Sequence, residues 1–379
     1  MIRYTSLALL PLALAGCGES AQNNGEAAQG NAAASTGQPF TVTPITGFNQ
    51  PWAMTFLPDG RMLVTEKEGT MQLVAADGQS RKAVSGIPKV DPTDQGGLMD
   101  VVLHPQFAQN RLVYFSFAEA GDGDTRGVAL ARGTLADGDA PALQNVQVLL
   151  RGDKVGETGG HFSGRIAFAT DGHLFFTAGE RQKFDPAQDK KMLLGKVLRL
   201  NDDGTPAKDN PLVAEGFRPE VWSYGHRNLL GLAFAPDGNL WEQEMGPQGG
   251  DEVNLILPGR NYGYPLVSNG DHYDDRPIPD HKEGDGFEAP KVWWNPSISP
   301  GGLIVYTGDL FPEWKGDVFI GGLSSMSINR IDVDGTNATK GDQWEMGQRI
   351  REVEQGPDGA IYVLEDGPEG RLLKLTPPA

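Results

Sequence analysis

One phrase returns six times along this chain, so the same packing problem has to be solved six times over. The phrase is an apolar stretch, a Pro-Asp-Gly-like turn and a second apolar stretch. It reads WAMTFLPDGRMLVTE from Trp52, GRIAFATDGHLFFTAGE from Gly164, GLAFAPDGNLWEQE from Gly231 and REVEQGPDGAIYVLED from Arg351. Looser copies start at Leu98 and Leu303. An Asp-Gly pair tolerates the positive φ of a tight hairpin, and the flanks alternate as strands do. The turns begin near residues 58, 104, 170, 236, 307 and 357. The step is therefore about 60 residues, enough for one four-stranded sheet with its loops. Such sheets bury their faces only against neighbours, so the series must close on itself. The predicted fold is all-β, a six-bladed β-propeller of four-stranded blades. The extended segment from Phe40 to Thr46 is expected to add a strand to the last blade, which ends at Arg371–Leu375. The competing arrangement is a β-sandwich, or two β domains with ordinary Asp-Gly turns. The 51 glycines and 27 prolines suit a fold made of turns, and no long segment holds a helical period.

The N-terminus reads as an address rather than as fold. Arg3 gives a positive start, and the apolar run from Leu7 to Ala15 is far shorter than the roughly twenty residues a membrane span needs. Leu14-Ala15-Gly16-Cys17 resembles a bacterial lipobox, in which the cysteine becomes the lipidated N-terminus. The plain alternative is an ordinary signal peptide with a chance cysteine. Cys17 is the only cysteine in the chain, so an internal disulfide is excluded. The expectation is a lipoprotein signal peptide over 1–16, a lipidated flexible tether over 17–39 and the propeller over 40–379. The tether is small, polar and aperiodic, with nothing to bury. The protein would then be exported and anchored to a membrane through lipid alone, facing the periplasm or the cell surface. A net charge of −18 repels nucleic acid and anionic lipid headgroups.

Propellers place function in the loops at the mouth of the central channel, so the unrepeated segments carry the chemistry. In Gly159-Gly160-His161-Phe162-Ser163-Gly164-Arg165 a histidine can act as a general base near neutral pH, or it can be a solvated loop residue. Trp222-Ser-Tyr-Gly-His-Arg-Asn228 brings aromatic, cationic and amide groups to one loop, with a surface ion pair at Arg227 as the plain alternative. Glu244-Met-Gly-Pro-Gln-Gly-Gly-Asp-Glu252 offers backbone carbonyls and carboxylates of the kind calcium takes, or is a bare acidic turn. Gln348-Arg349-Ile350-Arg351 puts two guanidiniums on one strand face, which suits a carboxylate-rich ligand or simply water. His-Glu-x-x-His, a cysteine cluster, Gly-x-Ser-x-Gly, a phosphate loop and a dinucleotide fingerprint are all missing.

In this order, WSYGHRN, EMGPQGGDEVN with NYGYP, and GQRIREV resemble the pyrroloquinoline-quinone-dependent soluble sugar dehydrogenases. The aldose sugar dehydrogenases are the nearer likeness and soluble quinoprotein glucose dehydrogenase the more distant, over about Gln50 to Leu375. The resemblance implies oxidation of an aldose at its anomeric carbon to a lactone, with pyrroloquinoline quinone (PQQ) and calcium as cofactors. It implies that His161 is the general base, and that Arg227 and Asn228 contact the quinone and stabilise charge on its oxygen. The carbonyls of Gly246 and Pro247 would bind the cofactor's calcium, and Glu252 with the Tyr262 backbone a second, structural calcium. Arg349 and Arg351 would pair with the cofactor's carboxylates, and Gln95, Leu323 and Ser324 would line the same pocket. The partners implied are an aldose and an electron acceptor that the sequence does not identify.

Three positions depart from that pattern. Leu323-Ser324 stands where better-known relatives have Leu-Lys, which removes a cation from an anionic ligand's site. Gly160 stands where the glucose enzyme has an aspartate, so sugar preference does not transfer. Leu229-Leu230 replaces the usual Pro-Gln after Asn228. The competing function is a non-redox propeller, either a carbohydrate-binding surface protein or a calcium-dependent lactone hydrolase.

Overall fold

The computed structural model describes residues 37–378, so Cys17, the proposed signal peptide and most of the proposed tether lie outside the described residues. Six four-stranded antiparallel sheets follow one another along the chain. The first strands of the blades are Pro51–Phe56, Leu98–Leu103, Ser163–Phe168, Leu229–Phe234, Pro300–Val305 and Ile350–Gln355. Each packs beside the first strand of the next blade, and the sixth returns to the first, so the ring closes. Closure is sealed by strand exchange: Thr41–Phe48 pairs with Gly370–Thr376 as the outer strand of blade six. The expected strand at Phe40 to Thr46 is thus present, shifted by a residue or two. The pairing covers the edge of Gly370–Thr376 and gives this blade the same four strands as the others.

Every repeated phrase lies at the hairpin between the first and second strands of a blade. In the four close copies the turn aspartate accepts the N–H two residues on: Asp59 from Arg61, Asp171 from His173, Asp237 from Asn239 and Asp358 from Ala360. The glycine between them sits at φ of 78–91°, where a Cβ is strained. The two looser copies replace this tight turn with short helical turns, Phe107–Asn110 in blade two and Pro312–Trp314 in blade five.

A second regularity sets up the site. In all six blades the pairing of first and second strands slips just after the first strand begins, between Pro51 and Ala53 in blade one and between Ile350 and Glu352 in blade six, for example. A bulge bends a strand and re-aims the side chain at the slip. Four of the residues at these slips, Trp52, Met99, Leu230 and Arg351, line the cavity at the mouth of the ring.

The next residue of each strand forms a layer beneath that cavity. Asp100, Arg165 and Glu352 meet there, with Arg165 Nη1 3.3 Å from Asp100 and Nη2 2.6 Å from Glu352. Gly302 gives them room, since a Cβ at 302 would lie 2.4 Å from a Glu352 carboxylate oxygen. The ring is therefore plugged below its mouth by a buried ion cluster, and the cavity above has a floor.

Candidate active site

The cavity holds about 460 Å³. Gln95, Asn228, Leu323, Arg349 and Arg351, drawn from four blades and the loops before them, all line it. Ser324 does not belong with them. It is exposed, its hydroxyl donates to the Ser297 carbonyl at 3.1 Å, and it is not among the residues that line the cavity. Its neighbour Leu323, in the same turn, is 2 % exposed and lines the cavity.

Arg349 and Arg351 share one carboxylate. Asp366 accepts Arg349 Nε at 2.8 Å and Arg351 Nε at 3.0 Å. Burial works to raise the Asp366 pKa, but the two guanidiniums outweigh it and hold the carboxyl below its usual range.

His161 flanks this cavity, with Phe162 on the wall beside it. The histidine is buried at φ 56°, an uncommon backbone for a non-glycine residue. Its N–H donates to Gln95 Oε1 at 2.9 Å, and its Nδ1 meets Glu180 Oε1. Glu180 is fully buried and also accepts the backbone N–H groups of Gln182 and Phe184, at 2.9 and 2.6 Å. Burial pushes the His161 pKa down to about 4, with Arg227 and Arg181 adding to the fall and Glu180 opposing it. Burial works to raise Glu180, but its hydrogen bonds hold it low and ionised. A neutral imidazole beside an ionised carboxylate assigns the proton to Nδ1, which donates to Glu180. That leaves the Nε2 lone pair free to take a proton.

Arg181 completes this corner. Its side chain is fully buried and its guanidinium lies 3.6 Å from the centre of the Phe162 ring. It donates to the carbonyls of Gly160 and Thr158, so it clips the loop that presents His161. Gly160 has a reason of its own. A Cβ there would lie 2.9 Å from Gln95 Oε1 and 3.0 Å from Gln182 Cδ, so Gln182 occupies the space a side chain would need.

Arg227 lies beside the cavity rather than on its wall, with Tyr264 and Tyr273 near its guanidinium. It donates to the carbonyls of Met245 and Gly246, at 2.9 and 2.6 Å. The Gly246 carbonyl expected to bind calcium thus already accepts a guanidinium. Asp251 pins this loop, accepting Gly246 N–H at 2.9 Å and Ser299 N–H at 2.7 Å. Burial raises its pKa to about 6 against these hydrogen bonds. Pro247 is buried beside Gly246.

Glu252 belongs to a second cluster that sequence reasoning met only in part. Pairing sets Glu242 opposite Asn254 and Glu244 opposite Glu252, so their side chains share one sheet face. Asn254 Nδ2 links Glu242 Oε2 and Glu252 Oε2 at 3.1 and 3.4 Å. Glu244 is fully engaged, by His226 and by the backbone N–H groups of Arg227 and Asn228. His226 is engaged too, since its Nε2 meets Ser223 Oγ at 2.9 Å, and Tyr262 joins the cluster by stacking on it with ring centres 4.5 Å apart. Oε1 of Glu242 and Oδ1 of Asn254 are buried without a partner. Burial, and the nearby Glu244 charge, push Glu242 and Glu252 well up. Buried carboxylates with orphaned oxygens and no cation beside them have the donor chemistry of a hard-cation site. The alternation Glu-Gln-Glu in one strand and Glu-Val-Asn in the next carried this signal, legible once the two strands were paired.

The chain matches the glucose/sorbosone dehydrogenase family over residues 48–374. It is 41 % identical over 337 residues to the aldose sugar dehydrogenase YliI of Escherichia coli K12, covering 87 % of this chain and 90 % of that one. The fold superimposes on the apo crystal structure of the soluble aldose sugar dehydrogenase from Escherichia coli with a TM-score of 0.85. That match has 39 % identity and covers 89 % of this chain and 100 % of the other. It also superimposes on the PQQ-bound aldose sugar dehydrogenase of Streptomyces coelicolor, with a TM-score of 0.74, 29 % identity and coverage of 89 % and 98 %. The chain therefore belongs to the glucose/sorbosone dehydrogenase family and is a sugar dehydrogenase.

Proposed function

We propose that this protein oxidises an aldose at its anomeric carbon to the lactone, using PQQ and calcium. The observation that carries the reading is a buried, neutral His161, oriented by Glu180, beside a cavity with guanidiniums on its wall.

The residues present fit both cofactors. Arg349 and Arg351 suit a planar carboxylate ligand, since a guanidinium can hold two carboxylate oxygens at once. The Gly246 and Pro247 carbonyls would hold the calcium at the cofactor. Glu242 and Glu252, with the Tyr262 backbone, would hold the structural calcium, which supplies the charge those carboxylates lack. When bound, the quinone supplies the acceptor for the hydride leaving the anomeric carbon.

The protein's own residues do the rest. His161 Nε2 takes the proton of the anomeric hydroxyl, and Glu180 stabilises the imidazolium that results. Gln95 fixes the loop through the His161 N–H, and Arg181 fixes it through the carbonyls of Gly160 and Thr158. Arg227 brings positive charge to the side of the site where negative charge develops, and Asn228 offers an amide from the cavity wall. The sugar thus loses one proton and one hydride, which balances its conversion to lactone.

The test is reconstitution. Purified protein given the quinone and calcium is expected to reduce a redox dye with a panel of aldoses and to release the lactone. Quinone binding with no aldose oxidised would overturn the substrate class. No quinone binding would leave the non-redox propeller as the better reading.

The same reading places the enzyme outside the cytoplasm, anchored through Cys17. A Cys17→Ala variant is expected to leave the membrane fraction. Equal membrane association of variant and parent would dismiss the anchor.

A further inference from the structure

The family pattern puts a lysine at position 324, and this chain has an exposed serine there whose hydroxyl donates to the Ser297 carbonyl. A cation stands elsewhere on the cavity wall instead. Lys67 follows the second strand of blade one, Met62–Glu66, and lines the same cavity as Arg349 and Arg351. Its backbone is clamped between two blades, with its N–H donating to the Gln50 carbonyl at 3.0 Å and its carbonyl accepting Leu98 N–H at 3.1 Å. Gly97, at φ 124°, leaves the room this needs. A Cβ at 97 would lie 2.3 Å from the Lys67 carbonyl and 2.8 Å from Lys67 Cγ.

Charge separates Lys67 from the other cations on the wall. Arg349 and Arg351 are both spent on Asp366, so together they offer the cavity about one net positive charge. Among the described residues, the Lys67 ammonium has neither an ion-pair partner nor a hydrogen bond, although it is only partly exposed. A part-buried cation on the wall of a cavity that takes a tricarboxylate is short of an anion, and the ligand is short of a cation.

We infer that Lys67 pairs directly with a carboxylate of the bound quinone, taking over from blade one the contact that the family pattern gives to position 324. This rests on the cofactor reading above. It assigns the third cation of the pocket to blade one, where the repeat carries an ordinary strand end.

The experiment is titration of the protein with PQQ at saturating calcium, followed by tryptophan fluorescence, which Trp52 on the cavity wall makes sensitive. Lys67→Met is expected to weaken binding about tenfold to a hundredfold, the range for losing one charge-assisted hydrogen bond. Lys67→Arg should stay close to the parent, and the parent's affinity should fall more steeply with salt than that of Lys67→Met. Thermal unfolding of each variant, run alongside, shows that the fold is kept. Equal affinity of parent and a folded Lys67→Met would overturn the Lys67 assignment and leave the cofactor reading standing. A parent that binds no quinone at all would overturn both. Should Lys67→Met fail to fold, Lys67→Gln gives the same comparison with a shorter polar side chain.

Discussion

Replacing His161 with alanine lowers the kcat of the reconstituted enzyme by at least about a hundredfold, the usual contribution of a positioned general base. The expectation follows from how completely the imidazole is committed. Its Nδ1 is engaged by a buried carboxylate and its backbone N–H by Gln95, so one nitrogen is left for chemistry. Quinone affinity should change little, because His161 flanks the cavity and is not part of its wall. Glu180→Gln tests the other half of the pair. An amide can accept the Nδ1 proton but offers no charge to the imidazolium, so kcat should fall about tenfold or more with the substrate KM nearly unchanged. The pH profile adds a sign. With the His161 pKa near 4, the base is neutral at pH 7, and kcat/KM should decline only as the pH falls toward that value. In Glu180→Gln the descent should move to lower pH, since a carboxylate that favoured the protonated ring is gone. A His161→Ala enzyme that keeps most of its turnover would remove this residue from the mechanism. An unmoved pH profile in Glu180→Gln would reduce Glu180 to a structural role.

What could be read from the sequence was what is local. The four Asp-Gly turns each contain their own hydrogen bond and their own left-handed glycine, so the hairpins, their spacing and the six blades were all legible. The strand at Thr41–Phe48 was legible for a different reason. A closed ring needs one blade completed from the far terminus, and an extended segment stood there unused. Glu180 was missed because it lies nineteen residues from His161 in a segment that reads as the end of a strand. Lys67 looked like any lysine at a strand end, and only ring closure shows that this end opens on the cavity. Glu242 and Glu244 needed a strand register, which a single sequence does not supply.

Arg165 was quoted within the His161 segment but given no role, and its loss should be the most damaging to the fold. Arg165→Met is expected to cost about 3–5 kcal/mol at neutral pH, measured from denaturant midpoints. The guanidinium lies at the channel axis, 5 % exposed, where it bonds Asp100, Glu352 and the Leu230 carbonyl and sits 4.3 Å from the centre of the Trp52 ring. Through these contacts blade three is tied to blades one, two, four and six. Removing it leaves two buried carboxylates without their cation, and both already resist ionisation. Burial raises Asp100, and it raises Glu352 to about 7, with Arg165 opposing the shift in each case. A carboxyl whose folded pKa is raised contributes stability below its unfolded pKa and loses that contribution as the pH rises through the folded value. For Glu352 in the parent the loss runs from about pH 4.5 to about pH 7. Without Arg165 the folded value climbs further, so the loss continues to higher pH. The variant should therefore be closer to the parent at pH 5 than at pH 8. Neutralising the partners as well, in Arg165→Met with Asp100→Asn and Glu352→Gln, should recover a substantial part of the deficit. If the single variant matches the parent at pH 8, the cluster does not hold the ring together, and Trp52 must be supported from elsewhere. If the deficit is instead largest at pH 5, the carboxylates are not what the guanidinium is there to neutralise.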